Sequence, residues 1–208
     1  MFLSDSERLE LTLWCAEYIN THCIIRRPSS NPMPAKNGGT YTWIFYLRRG
    51  LFNPEFAHKI AKLSLDKIYA SVGSYEFQIA GLESGSTPLL SAITLVARME
   101  YGIDINAFSV RKKRKEYGLL NMIEGIPNSK PVIVLDDLCN SSASLNMAYR
   151  VCVEHGHAVI PYSFALVNKV NKAIHLPTRV TTDMYLPAEV TMGYLFDLDT
   201  FDLRNPSH

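Results

Sequence analysis

The chain has 208 residues, with 21 Lys and Arg against 20 Asp and Glu and a formal net charge of +1. That balance argues against a strongly basic nucleic-acid coat or an acidic tail protein. Hydrophobic residues make up 47%, enough for the core of one α/β domain with or without a small appendage.

In chain order, Ser4-x-x-Glu7 reads as a capping box, and Leu9, Leu13, Ala16 and Ile19 follow at near-helical spacing. A helix is predicted from about Ser6 to His22. The stretch from Arg26 to Thr40 holds three prolines and Gly38-Gly39 and reads as a loop. Tyr41 to Leu47 is aromatic and β-branched, a predicted strand. Asn53-Pro54-Glu55 supplies a cap, a first-turn proline and an acid for a helix running to about Ala70. Strands and helices then alternate. Strands are predicted at Phe77 to Ala80, Asn106 to Val110, Pro131 to Leu135 and Ala158 to Val167. Helices are predicted at Thr87 to Tyr101 and Ser144 to His155. This alternation predicts a doubly wound, mainly parallel sheet flanked by helices. Residues 178–208 are strand-like and aromatic and are expected to extend the sheet or cover an edge.

No apolar run reaches the ~20 residues of a membrane helix, and the residues from Met1 to Glu7 lack the basic and apolar regions of a secretory signal. Cys15, Cys23, Cys139 and Cys152 show no metal-binding spacing. A soluble, reduced, cytoplasmic protein is the expectation. His155 and His157 flank Gly156 and read as a helix end rather than a metal site.

Three segments carry chemistry. Val132-Ile133-Val134-Leu135 suits a central parallel strand. Asp136 and Asp137 close it at the carboxyl end, where open α/β sheets bind ligands. The small polar run Cys139-Asn140-Ser141-Ser142-Ala143-Ser144 then leads into a helix and could cradle a phosphate with backbone N–H groups and hydroxyls. An ordinary strand exit with a helix cap explains the same residues. The second segment, from Ala80 to Pro88, contains Gly81, Glu83, Ser84 and Gly85 between a strand and a helix. Its glycines permit close approach of backbone to an anion, and a routine βα turn is the plainer account. In the third, Arg111-Lys112-Lys113-Arg114-Lys115 follows a strand. A solvated charge run and a cationic lid over a polyanion both fit it. Five bases supply too few phosphate contacts for a nucleic-acid footprint.

Together these segments resemble the type I phosphoribosyltransferases, and among them the orotate phosphoribosyltransferase family, over roughly residues 41 to 170. Tyr46-Leu47-Arg48-Arg49-Gly50-Leu51 is similar to the family's strand and turn before its first long core helix. Residues 80–88 resemble its pyrophosphate loop. Residues 111–118 with Ile123-Glu124-Gly125 resemble its catalytic loop, and Val132 to Ser144 resemble its motif for phosphoribosyl pyrophosphate (PRPP).

The resemblance implies three parts: a small N-terminal hood over residues 1–50, a transferase core over 51–170, and a β-rich C-terminal extension over 171–208. It implies transfer of phosphoribose from PRPP to a planar nitrogenous base, orotate or a relative, with release of pyrophosphate. Asp136 and Asp137 would hold the ribose hydroxyls and Mg²⁺ and act catalytically by favouring the positive charge that develops on the ribose, and residues Cys139 to Ser144 would hold the 5-phosphate. Glu83, Ser84, Gly85, Arg111 and Lys112 would meet the pyrophosphate, with Lys115 the catalytic residue of the basic loop. Tyr46 and Lys169 would face the base. A homodimer whose basic loops act across subunits is implied.

The sequence also departs from the family. Its PRPP loop usually contains paired glycines, whereas here it reads Asn140-Ser141-Ser142-Ala143-Ser144, so Ser142 or Ala143 must adopt a glycine-like conformation at ~1 kcal/mol or more. Tyr117 stands for the usual catalytic-loop histidine, and Lys169 for an arginine. These changes leave open a second reading: a catalytically impaired PRPP or nucleotide sensor, or a subunit of a larger heteromeric assembly.

Overall fold

The structure is a computed structural model that describes residues 3–35, 38–113, 121–169 and 190–203. Helix α1 (Asp5–Tyr18) starts at the capping box: Ser4 Oγ accepts from the Glu7 N–H, and Glu7 accepts from the Ser4 N–H. A single π-turn (Ile19–Cys23) follows and leads into β1 (Ile24–Arg26), inside the stretch between predicted elements. Strands β2 (Met33–Pro34) and β3 (Thr40–Tyr41) form a small ribbon within the expected loop. The strand expected over residues 41–47 is shorter, β4 (Trp43–Phe45), and pairs antiparallel with β1. These elements span the segment expected to form the hood.

Helix α2 (Arg48–Leu51) is one turn long. Asn53 caps α3 (Pro54–Val72) by accepting from the Phe56 N–H. The alternation then runs β5 (Gln78–Leu82), α4 (Thr87–Tyr101), β6 (Ala107–Val110), β7 (Ile123–Gly125), β8 (Val132–Cys139), α5 (Ala143–Glu154), β9 (Val159–Asn168) and β10 (Thr191–Asp197). The six-stranded sheet has the order β10-β9-β8-β5-β6-β7 and is parallel except at β7, which pairs antiparallel with β6. The strand-like C-terminal segment thus adds a parallel edge strand beside β9.

This order fixes where a ligand can sit. The crossover from β5 leads to β6 on one side, and the crossover from β8 leads to β9 on the other. Right-handed connections then put α4 and α5 on opposite faces. The buried side chains agree: Ile79, Ile133 and Leu135 pack with Leu89 and Ile93 of α4, whereas Ala80, Val132 and Val134 pack with Leu145 and Ala148 of α5. Between β5 and β8 the connections diverge, and a crevice opens at the carboxyl ends of those two strands.

The C-terminal segment also reaches the hood. Phe201 packs edge-on to Phe45 of β4, with ring centroids 5.3 Å apart, and contacts Phe196 of β10. Arg26 of β1 donates to the Asp202 carbonyl. All four cysteines are free and buried, and no described helix is long and apolar enough to cross a membrane.

Candidate active site

Two βα turns face each other across this crevice. Strand β8 does not stop at the acid pair; it continues through Asp136, Asp137 and Leu138 to Cys139, held by β9 in register with Asn168. Strand alternation sends neighbouring side chains to opposite faces, so the two acids differ. Asp137 is partly exposed, but Asp136 is buried, at 6% exposure. This corrects the expectation that the acid pair closes the strand, since β8 runs on to Cys139. Asp136 Oδ1 accepts from the Asp137 N–H at 2.9 Å. Burial first, and then the neighbouring Asp137 charge, push the Asp136 carboxyl well above the ordinary aspartate range, against the pull of the Ser144 hydroxyl.

The turn after β8 wraps a cavity of about 50 Å³ lined by Asp136, Leu138, Cys139, Asn140, Ser141, Ser142, Ala143 and Ser144. The space suits a small anion rather than a base. Ser142 takes the left-handed conformation, φ +58° and ψ 3°, and is the only non-glycine residue with positive φ among the described residues. The glycine-like backbone expected in this turn therefore falls on Ser142, and its side chain caps no helical N–H. Its Oγ lies 3.4 Å from the Cys139 thiol instead. Burial raises the Cys139 thiol, which marks it as a wall of the cavity rather than a nucleophile.

The turn after β5 contributes Glu83, Ser84, Gly85 and the buried Ser86, whose Oγ donates to the Leu82 carbonyl at 2.8 Å. The Glu83–Ser84 peptide is cis. Its glycines are set by neighbours. A Cβ on Gly85 would lie 2.9 Å from Asp137 Oδ1 and 3.5 Å from Asp136 Oδ1. A Cβ on Gly81 would lie 2.3 Å from Ser86 Oγ and 2.7 Å from the Leu135 carbonyl. Gly85 thus brings the first turn against the acid pair of the second.

Glu83 reaches the start of the basic run. Its Oε1 accepts from the Lys112 N–H at 3.1 Å, and its Oε2 lies 3.6 Å from Arg111 Nη1. Arg111 also bonds Glu124 of β7 at 3.0 Å. Lys112 and Lys113 are exposed. Lys115 and Tyr117 lie outside the described residues.

The two residues expected at the base join the site by different routes. Lys169 follows β9 and donates its backbone N–H to the Cys139 carbonyl at 2.8 Å, which places it beside the small cavity of the turn after β8. Its ammonium sits over the Trp43 ring, 4.9 Å from the centroid, and burial lowers its pKa. Tyr46 is exposed, and the Arg48 guanidinium lies 5.5 Å from its ring centroid. Arg48 Nη1 donates to Ser84 Oγ at 3.0 Å. Arg48 lies in the 46–51 segment that resembles the family's strand and turn, but neither it nor Trp43 is assigned a role from sequence, because each meets the site through a contact distant in sequence. Among the described residues no cluster of three or more His, Cys, Asp or Glu side chains converges as a metal cage.

No protein-family model matches the chain. Two solved structures resemble it over nearly its whole length. The Mycobacterium tuberculosis orotate phosphoribosyltransferase in complex with PRPP aligns with a TM-score of 0.64 at 20% identity, covering 93% of this chain and 98% of that one. The orotate phosphoribosyltransferase from Aeropyrum pernix aligns with a TM-score of 0.66 at 20% identity, covering 89% and 94%. These likenesses establish the class: the fold is that of the type I phosphoribosyltransferases. In sequence, the orotate phosphoribosyltransferase of Bradyrhizobium sp. (strain ORS 278) is 31% identical over 153 residues, 70% of this chain and 80% of that protein. That of Methanocaldococcus jannaschii is 28% identical over 128 residues, 61% and 66% of the two chains. The chain belongs to the orotate phosphoribosyltransferase family.

Proposed function

We propose that the protein transfers phosphoribose from PRPP to a ring nitrogen of a planar, anionic base, with orotate the first candidate. The observation that carries this reading is the meeting of the two turns, where Gly85 abuts the Asp136–Asp137 pair beside a small polar cavity at the strand ends. The 5-phosphate sits in the turn from Cys139 to Ser144, where main-chain N–H groups and hydroxyls of a helix start favour an anion. Asp137 and Asp136 take the ribose hydroxyls. The pyrophosphate lies along Glu83, Ser84 and Gly85, with Arg111, Lys112 and Lys115 of the basic run supplying positive charge.

In the reaction the base nitrogen forms its bond to the anomeric carbon while the carbon–oxygen bond breaks and pyrophosphate leaves with the electron pair. Positive charge develops on the ribose, and a carboxylate below it stabilises that charge without rearranging. Asp137, the more accessible acid, supplies the negative charge; Asp136, held toward its neutral form, acts as a hydrogen-bonding partner of the sugar.

The donor set fits Mg²⁺. Among the described residues, two carboxylates without a third protein ligand suit an ion that prefers phosphate oxygens and retained waters to a protein cage. Asp136 and Asp137 would contact it through the sugar hydroxyls and waters; when bound it offsets charge on the pyrophosphate.

Lys169 supports an anionic base. Among the described residues its half-buried ammonium has an aromatic ring and no carboxylate beside it, so an acidic substituent on the substrate completes its pairing. Tyr46 is exposed beside Arg48, which bonds Ser84 of the turn after β5. A homodimer with shared basic loops belongs to this reading.

Incubation with PRPP, Mg²⁺ and a panel of planar bases, assayed for pyrophosphate, tests it. Release with an acidic base and not with neutral ones is the expected result. PRPP binding without release for any base would instead favour a sensor, which the left-handed Ser142 makes the natural second reading.

A further inference from the structure

We infer that Arg48 is a fixed binding group for the pyrophosphate of PRPP, an inference that rests on the PRPP-dependent reading above. Arg48 opens the short helix α2 of the hood, yet its Nη1 donates to Ser84 Oγ at 3.0 Å in the turn after β5. A guanidinium carries five N–H donors in a planar fork, and this bond uses one. The contact with the Tyr46 ring uses none. Among the described residues no carboxylate pairs with Arg48.

Arg111 gives the contrast. It is the other arginine at this turn, and its Nη1 is already shared between Glu124 at 3.0 Å and Glu83 at 3.6 Å. Among the described residues, the uncompensated guanidinium at the turn is therefore Arg48. It is partly exposed and anchored only by a neutral hydroxyl. A planar fork held in place with free donors matches a diphosphate, which accepts two parallel bonds, better than it matches a sugar or an apolar ring. Its anchor on a folded helix also separates it from the basic run: it holds its place before the ligand arrives.

Calorimetric titrations of the full chain with PRPP, pyrophosphate and ribose 5-phosphate, each with Mg²⁺, test the assignment. Arg48→Ala should weaken PRPP and pyrophosphate about tenfold or more and leave ribose 5-phosphate within about twofold. Arg48→Lys keeps the charge but loses the fork, so it should recover only part of the loss; it preserves the same contrast should the alanine variant fail to fold. Ser84→Ala, which retains the guanidinium, should lose less than Arg48→Ala. Unchanged PRPP affinity in Arg48→Ala, or an equal loss for ribose 5-phosphate, would overturn the inference. So would a Ser84→Ala loss as large as that of Arg48→Ala, which would make Arg48 a prop for Ser84. Native protein that binds none of the three ligands would refute the underlying reading instead.

Discussion

The two turns that frame the crevice are built on the same plan and solve it differently. After β5 the chain uses glycine at 81 and 85, and in both places a Cβ would make a neighbour shift: Ser86 and the Leu135 carbonyl at one, the Asp137 carboxylate at the other. After β8 the chain uses no glycine, and the left-handed conformation is carried by Ser142. Crowding dictates composition in the first turn, whereas in the second a dihedral angle is held against the residue's own preference. A crowded position tolerates no substitution without moving something, while a strained one leaves room to relieve the strain.

That contrast is tested most forcefully at the acids both turns share. Asp136→Asn combined with Asp137→Asn should remove PRPP handling, lowering turnover by about a hundredfold or more, with an unchanged far-ultraviolet circular dichroism spectrum. Retained PRPP affinity would detach the acids from the ligand. Next, Gly85→Ala should displace the Asp137 carboxylate and weaken PRPP by roughly ten- to a hundredfold, measured by calorimetry. Gly81→Ala meets backbone as well as Ser86 and should cost roughly 1–3 kcal/mol of stability, read from urea unfolding.

The single change Asp136→Asn should act on stability in the opposite direction. Folding holds the Asp136 carboxyl above its unfolded pKa, so the native state binds more protons and stability falls as pH rises through the window between the two values. Without ligand or Mg²⁺, the Asn variant should melt higher than the native protein at neutral pH. The advantage should shrink as pH falls toward about 4 and vanish about one unit below that, where the aspartate is neutral in both states. An advantage independent of pH would show that burial of charge is not its source. The smallest effect belongs to Ser142→Gly, which should raise stability by roughly 1 kcal/mol through relief of the left-handed angle, a few degrees in melting temperature at this chain length. A lower melting temperature would mean that the Ser142 hydroxyl matters more than its backbone.

The parallel core was legible because its elements announce themselves locally. The helix from Thr87 to Tyr101 was read at its observed bounds, and the capping box at Ser4 and the cap at Asn53 start α1 and α3 as expected. Val132 to Leu135 gave the central strand, but its continuation through Asp136 to Cys139 was hidden, since carboxylates and a following polar run look like an exit. What keeps that segment extended is pairing with β9, a non-local cause. Strands β1, β2 and β3 were missed for the same reason: two or three residues amid prolines make no pattern until a partner strand is present. In the site, the acids and the glycine turn were visible as sequence. The stacking of Lys169 on Trp43 and the reach of Arg48 to Ser84 depend on how the hood folds over the sheet.

The packing of Phe201 on Phe45 joins the β4 strand that carries Trp43 to the segment that follows β10, which is synthesised after the whole parallel core. A nascent chain can assemble most of the parallel core as it emerges, but the clasp that steadies the Trp43 ribbon cannot close until Phe201 has left the ribosome. A chain that has emerged only as far as β9 would therefore bring the two turns of the crevice together before the Trp43 strand is steadied.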